Sequence, residues 1–404
     1  LLSQPVLAAP PTTALPTGGQ VAAGQASITS AGANMTIQQS TQKAIINWNT
    51  FNIGQNASVN FQQPNASSVA LNRVNSMDAS QIYGSLNANG QVFLVNPAGV
   101  YFSPTARVNV GGIVASTLNI TDADFLESHY SFFNDNSIGT INNEGKITTA
   151  DGRYIAFLSP QINNSGELNA PRGDIVLAAA DKVSLDFSGD KLINFTIEQG
   201  AIDALIENKG LIKVDEGTVV LDARSANSLT QSVVNNSGII EAKGITEQGG
   251  RIILSGDNIT LTETAQLDAS GKTGGGEVLV GGDWQGSGDL YQATTVAMVQ
   301  GATINASATD NGDGGKVVLW SDIHNADSIT EVHGRIEAKG GVNGGDGGQI
   351  ETSGYAIDLD NISIQTGASF GDDGLWLIDP VDITIDASLA STISTALISN
   401  NVTI

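Results

Sequence analysis

Apolar residues along this chain fall in short runs of Val, Ile, Leu and Phe, alternating with Asn, Thr and Ser and broken by Gly, Asn-Gly and Pro-containing turns. Short alternating runs bounded by such residues predict β-strands. The stretch from Gln91 to Leu118 shows the pattern most fully. An alternating run from Gln91 to Val95 stops at Asn96-Pro97-Ala98-Gly99, resumes at Val100-Tyr101-Phe102, and continues after Gly111-Gly112. It reads as strand, turn, strand, turn, strand. Its residues include no obvious nucleophile, base or metal ligand, so its content is shape.

From Ile141 the pattern repeats. One series comprises Ile141-Asn142-Asn143-Glu144-Gly145, Ile162-Asn163-Asn164-Ser165-Gly166, Ile206-Glu207-Asn208-Lys209-Gly210 and Val234-Asn235-Asn236-Ser237-Gly238. Its glycines lie 21, 44 and 28 residues apart, which predicts one coil, two coils, and one coil with an insertion. A second series begins at Gly173, Gly217, Gly250, Gly276 and Gly315, each glycine leading an aliphatic run. A third begins at Gly238, Ala265, Ala302 and Gly334. Self-similarity at this period with strand composition is the mark of a β-solenoid. Leucine-rich repeats need a Leu-x-x-Leu-x-Leu ladder, which is absent. The expected fold is therefore all-β: a right-handed parallel β-helix, single-stranded and pectate-lyase-like, its handedness following the general crossover preference. About 16 coils at the inter-strand spacing give a rod of roughly 75 to 80 Å.

Three segments depart from the rhythm. Lys182 to Ile197 alternates on both sides of Ser188-Gly189-Asp190 and predicts an extra-helical antiparallel hairpin. The span from Ala123 to Asn134 predicts a short helix or loop. Near the N-terminus Trp48, Phe51 and Ile53 cluster, and are expected to cap the open end of the core.

Here the motifs INWNTFNIG at 46–54, ALNRV at 70–74, QIYGSLNANGQVFLVNPAGV at 81–100 and GGIVASTLNI at 111–120 resemble the N-terminal secretion domain of the filamentous haemagglutinin family. These are the TpsA-type exoproteins of two-partner secretion, and the chain is most similar to the high-molecular-weight adhesin branch. That family's Asn-Pro-Asn-Gly-Ile hallmark stands here as Asn96-Pro97-Ala98-Gly99-Val100. The change keeps the turn chemistry, because Pro fixes φ and Gly supplies the positive-φ corner.

The resemblance implies a secretion and folding-nucleation module. It would be recognised by the POTRA domains of a partner outer-membrane transporter of the Omp85 (TpsB) type, exported through the periplasm of a Gram-negative bacterium, and folded as a secreted or cell-surface monomer. Asn96, Pro97, Gly99, Gly111 and Gly112 are its expected secretion and folding motif. Expected boundaries are a signal-peptide remnant at 1–10, with small residues at cleavage spacing, the secretion domain at 11–270, Gly-rich coils at 271–387, and the start of a downstream exoprotein region at 388–404. Contacts with host-cell or matrix glycans are expected of the downstream part. Two other classes remain open: a region that itself binds host glycans, and a carbohydrate-active β-helix enzyme.

Composition narrows these. With 17 basic and 41 acidic residues the formal charge is -24, the opposite of the basic footprint that nucleic acid or an anionic membrane needs. There is no cysteine, so disulfides and thiolate chemistry are excluded, as suits a chain that crosses a pore unfolded. No segment has the apolar length to span a bilayer as a helix. His129, His324 and His333 lack the spacing of metal ligands, and Gly344-Gly345-Asp346-Gly347-Gly348 lacks the tandem nonapeptide of calcium-binding β-rolls. Carboxylates such as Asp174, Asp181, Asp222 and Asp257 are scattered. No cofactor, metal or catalytic residue is expected, although fold alone does not decide function.

Overall fold

The structure is a computed structural model that describes residues 8–404 except 138, 189, 190, 228 and 229. Most of the expected signal-peptide remnant, and the tip of the expected hairpin, lie outside the described residues. Among those described, three long sheets of 14, 10 and 13 strands run the length of the molecule, and successive strands pair in parallel from coil to coil. The fold is a parallel β-helix.

Each repeat series in the sequence occupies one sheet. The Ile-Asn-Asn series stacks as Ile141, Ile162, Ile206 and Val234 in the 10-stranded sheet. The second stacks as Ile175, Val219, Ile252, Val278 and Val317 in the 14-stranded sheet. The third stacks as Ile240, Leu267, Ile304 and Ile336 in the 13-stranded sheet. Side chains alternate across a strand, so these residues all point into one continuous aliphatic core. At one corner the second asparagine of the first series forms a buried amide ladder: Asn143 donates to Asn164 (2.8 Å), Asn164 to Asn208 (2.7 Å) and Asn208 to Asn236 (2.7 Å). Each amide thereby satisfies the next, as burial demands.

The coil count is lower than the sequence suggests. The 14-stranded sheet holds one antiparallel strand, Gln20–Ala23, and a parallel stack from Lys43–Trp48 to Asn401–Thr403. At the usual strand spacing that stack is roughly 58 Å long, not 75 to 80 Å. The 44-residue interval from Gly166 to Gly210 is one coil and not two, since Gln161–Asn164 pairs directly with Leu205–Asn208. The extra residues leave the solenoid as the antiparallel pair Lys182–Ser188 and Lys191–Gln199. Excursions of this kind lengthen coils without adding any.

At the N-terminal end Gln20–Ala23 and Ala26–Ala31 pair antiparallel with the first coil strands. The preceding segment lies along the first turn of the solenoid, where the N–H groups of Gly54 and Asn56 donate to the carbonyls of Ala14 and Thr12. At the other end 388–404 holds most of a helix and the short strand Asn401–Thr403. Helix Ala387–Ala396 is N-capped by Asp386, whose carboxylate accepts from the Leu389 N–H (2.9 Å), and packs Leu389 and Ile393 against the core. The cap and the apolar stripe outweigh the weak helix propensity of its Ser and Thr.

Candidate functional site: the doubly covered coils

The large sheet is buried on its outer face as well as toward the core along most of its length, and the outer apolar residues form two clusters, of which the larger lies in the N-terminal half. Around Gln91–Leu118 it is buried on both faces. Val92, Leu94, Ile113, Ala115, Ile155 and Phe157 face the interior, whereas Phe93, Val95, Val114, Ala156 and Leu158 face outward into a second cluster. The cover over that outer face is helix Asp122–Glu127 and a three-stranded antiparallel sheet. Tyr130–Phe133 pairs with Lys182–Ser188, which pairs with Lys191–Gln199. The expected alternation does not hold here: Val92, Phe93, Leu94 and Val95 are all apolar and buried, as two-sided burial requires.

Phe93 is the centre of the outer cluster. Its ring centroid lies 5.9 Å from Phe125, 5.4 Å from Tyr130, 6.2 Å from Phe132 and 6.4 Å from Phe187. Two basic residues from the first coils fasten the cover. Lys43 Nζ donates to the carbonyls of Phe125 (2.7 Å) and Leu126 (2.8 Å) and to Ser128 Oγ (2.7 Å), capping the helix C-terminus where a cation is favoured. Its ammonium lies 5.6 Å from the Phe125 ring and 5.5 Å from the Tyr130 ring, and burial pushes its pKa down. Arg73 pairs with Asp122 at the other end of the helix (2.6 Å) and donates to the Ile120 carbonyl (2.5 Å).

The Asn96–Gly99 turn is built into this region. The Gly99 N–H donates to the Asn96 carbonyl (3.0 Å), and Asn96 Oδ1 accepts from the Ala98 N–H (3.0 Å). Pro97 and Gly99 occupy the second and fourth turn positions that favour them. Asn96 is fully buried, and its Nδ2 donates to the Asp78 carbonyl (3.0 Å) and to Ser80 Oγ (3.0 Å) on the preceding coil. The Pro97 carbonyl accepts from Gly139 N–H (3.0 Å) and Ser137 Oγ (2.9 Å) on the following one. The turn thus bolts three coils together, and Ala98 contributes to it through its backbone N–H. Gly99 has φ +119°, a region that L side chains rarely enter.

Gly111 and Gly112 answer to close approach and not to positive φ. A Cβ on Gly111 would fall 2.5 Å from the Gly90 carbonyl oxygen. Gly112 lies beneath the Tyr154 ring. Trp48, Phe51 and Ile53 lie inside the first coils as part of the interior core, with Trp48 and Phe51 edge to face at 5.5 Å. The lid over them is the antiparallel N-terminal segment. Trp48 Nε1 donates to Asn72 Oδ1 (3.0 Å), a fully buried link between the INW and ALNRV motifs.

Sequence reading passed over Lys43, Asn72, Arg73, Gln91 and Tyr154. The available signal was a polar residue inside an apolar run, as in Ala70-Leu71-Asn72-Arg73-Val74. Among the described residues no group of three or more His, Cys, Asp or Glu is placed to hold a metal, and no helix is long and apolar enough to cross a membrane.

Residues 12–274 match the description of the TPS secretion domain. Over 266 residues the chain is 32% identical to a heme/hemopexin-binding protein of Haemophilus influenzae, which covers 63% of this chain and 28% of that protein. A second such protein from the same species is 30% identical over 265 residues. The chain therefore spans under a third of the length of these curated relatives. Its structure is similar to the crystal structure of the HMW1 secretion domain from Haemophilus influenzae, with 31% identity, a TM-score of 0.69, and coverage of 90% of this chain and 100% of that one. The chain belongs to the family of two-partner secretion (TPS) domains of TpsA-type exoproteins, which are exported from Gram-negative bacteria with a dedicated partner transporter.

Proposed function

We propose that this chain is the secretion and folding-nucleation module of a large adhesin-type exoprotein. In this reading the POTRA domains of an Omp85-type transporter recognise the N-terminal part while it is unfolded in the periplasm. Strand addition to an exposed edge is the physics that suits such a segment. The chain then threads outward, and coils form in order at the surface.

The observation that carries the reading is the two-sided burial around Gln91–Leu118. In a solenoid each coil is stabilised by its own contacts and by its neighbours, so folding starts where local stability is highest and spreads by adding coils to an existing edge. The coils around Gln91–Leu118 carry the larger of the two outer apolar clusters, which makes them the strongest nucleus available, and their position near the N-terminus lets them emerge early. Folding outside then disfavours back-sliding through the pore.

The test replaces Asn96-Pro97 with Ala-Ala in the chain co-expressed with its partner transporter. Both the amount exported and the refolding rate of the purified chain should fall. Unchanged export together with an unchanged refolding rate sinks the reading. Deleting the POTRA domains from the transporter tests the partner separately: wild-type export that survives the deletion removes them from the account.

A further inference from the structure

Three asparagines in this chain are followed by glycine, at Asn89–Gly90, Asn311–Gly312 and Asn343–Gly344. Such a pair is open to an internal hydrolysis, because glycine places no Cβ in the way of its own nitrogen. The glycine nitrogen loses its proton and attacks the asparagine Cγ, and the side-chain amide leaves as ammonia. Water then opens the succinimide ring at either carbonyl, giving aspartate or isoaspartate. The only co-reactant is water. The geometry must supply a side-chain amide free to turn and a glycine N–H free of its acceptor, so the fold decides which of the three pairs reacts.

Asn89 is held at every reacting group. Its Oδ1 accepts from the Gln63 N–H (2.7 Å), its Nδ2 donates to the Gln63 carbonyl (2.8 Å), and the Gly90 N–H donates to Gln63 Oε1 (3.0 Å). Gln63 is itself buried. Asn343 is held at two groups: its Nδ2 donates to Asp310 Oδ1 (2.6 Å), and the Gly344 N–H donates to the Gly341 carbonyl (3.3 Å). Asn311 is exposed, and among the described residues its side-chain amide has no hydrogen-bond partner. A single restraint remains there, from the Gly312 N–H to the Gly344 carbonyl (2.8 Å).

We propose that Asn311–Gly312 is a site of spontaneous covalent modification in the folded chain, and that Asn89–Gly90 has the same reactivity but shows it only when unfolded. At Asn311 the product sets a further carboxylate beside Asp310 and Asp313. Its isoaspartate form lengthens the main chain by one bond and takes Gly312 out of register with its partners Gly341 and Gly344. This turn lies outside the aliphatic core, so the solenoid tolerates the change. The inference does not depend on the export reading, because it concerns the reactivity of the purified chain.

The test holds the folded 404-residue chain at mildly alkaline pH and follows each site over time by peptide mass mapping, with isoaspartate scored separately by enzymatic methylation. Asn311 should convert fastest. Each additional hydrogen bond that must break slows the reaction roughly fivefold, so Asn343 should lag about fivefold behind it and Asn89 about 25-fold. In concentrated urea the three rates should converge, because unfolding removes all of these bonds. Asp310→Ala releases the Asn343 amide and should quicken that site roughly fivefold while leaving Asn89 as slow as before. The proposal is overturned if Asn311 reacts no faster than the other two in the folded chain, or if the same ranking persists in urea, which would assign it to sequence and not to fold. An Asp310→Ala chain whose Asn343 keeps its wild-type rate equally overturns it, by removing the side-chain restraint on which the ranking rests.

Discussion

The ring of Tyr154 lies against the backbone of Gly112 one coil below: a Cβ at Gly112 would stand 3.1 Å from the ring. The ring continues across to the next coil, where the phenol donates to Gln91 Oε1. Tyr154 is fully buried, so both its ring and its hydroxyl need partners. Gly112 provides the space and Gln91 the acceptor, and one side chain ties three coils together on the outer face.

Replacing Gly112 with Val should therefore displace the ring and cost about 1–3 kcal/mol through overpacking. Tyr154→Phe keeps the ring but orphans the Gln91 acceptor, and should cost about 1–3 kcal/mol. Urea unfolding followed by aromatic circular dichroism checks both. A fully tolerated Gly112→Val would show that the ring has room to move.

Phe93→Ala removes the centre of the outer cluster and should cost about 3–5 kcal/mol. Because the loss loosens the cover over the sheet, the variant should also bind a hydrophobic dye such as ANS. A loss below 1 kcal/mol with no dye binding would mean that the cover does not depend on this ring.

The asparagine ladder gives a graded expectation. Asn164 accepts from Asn143 and donates to Asn208, so Asn164→Ala orphans two buried groups. Asn236, at the end, accepts from Asn208 and donates to the Gly238 carbonyl (3.1 Å), so Asn236→Ala leaves one side-chain group unpaired. At about 1–3 kcal/mol per orphan, the first variant should be the less stable in denaturant. Equal losses would show that the amides are stabilised separately and not as a ladder.

Glu351 supplies a pH signature. It is fully buried in the large sheet, accepting from Ser353 Oγ (2.8 Å) and the Gln285 N–H (2.8 Å). Burial raises its pKa above the ordinary value of 4.5, with those two donors opposing. The folded carboxyl thus holds its proton to higher pH than the unfolded one does. Its contribution is present below about 4.5 and is lost as pH rises through the raised folded value. The gain in unfolding temperature from Glu351→Gln should grow over that window and level off above it. A difference that stays flat with pH would refute the shift.

Much of the solenoid was legible in the sequence. The three series led by residues such as Ile141, Ile175 and Ile240 mark three faces, because strand periodicity is local and each sheet repeats its own signature. The hairpin expected over 182–197 was legible for the same reason. Tertiary structure alone decided what the hairpin does. A run such as Gln91–Val95 looks the same whether its second face meets an enzyme-like groove, a partner or its own chain. Only the fold brings Tyr130–Phe133 and Lys182–Ser188 over Phe93. Coil number was misread because sequence distance between repeats does not distinguish an added coil from an excursion; inter-strand pairing does. Lys43 and Arg73 were overlooked because their partners lie 83 and 49 residues away, at Leu126 and Asp122. Polar links across that distance leave no local pattern, so folding was needed to show which charges fasten the doubly covered coils.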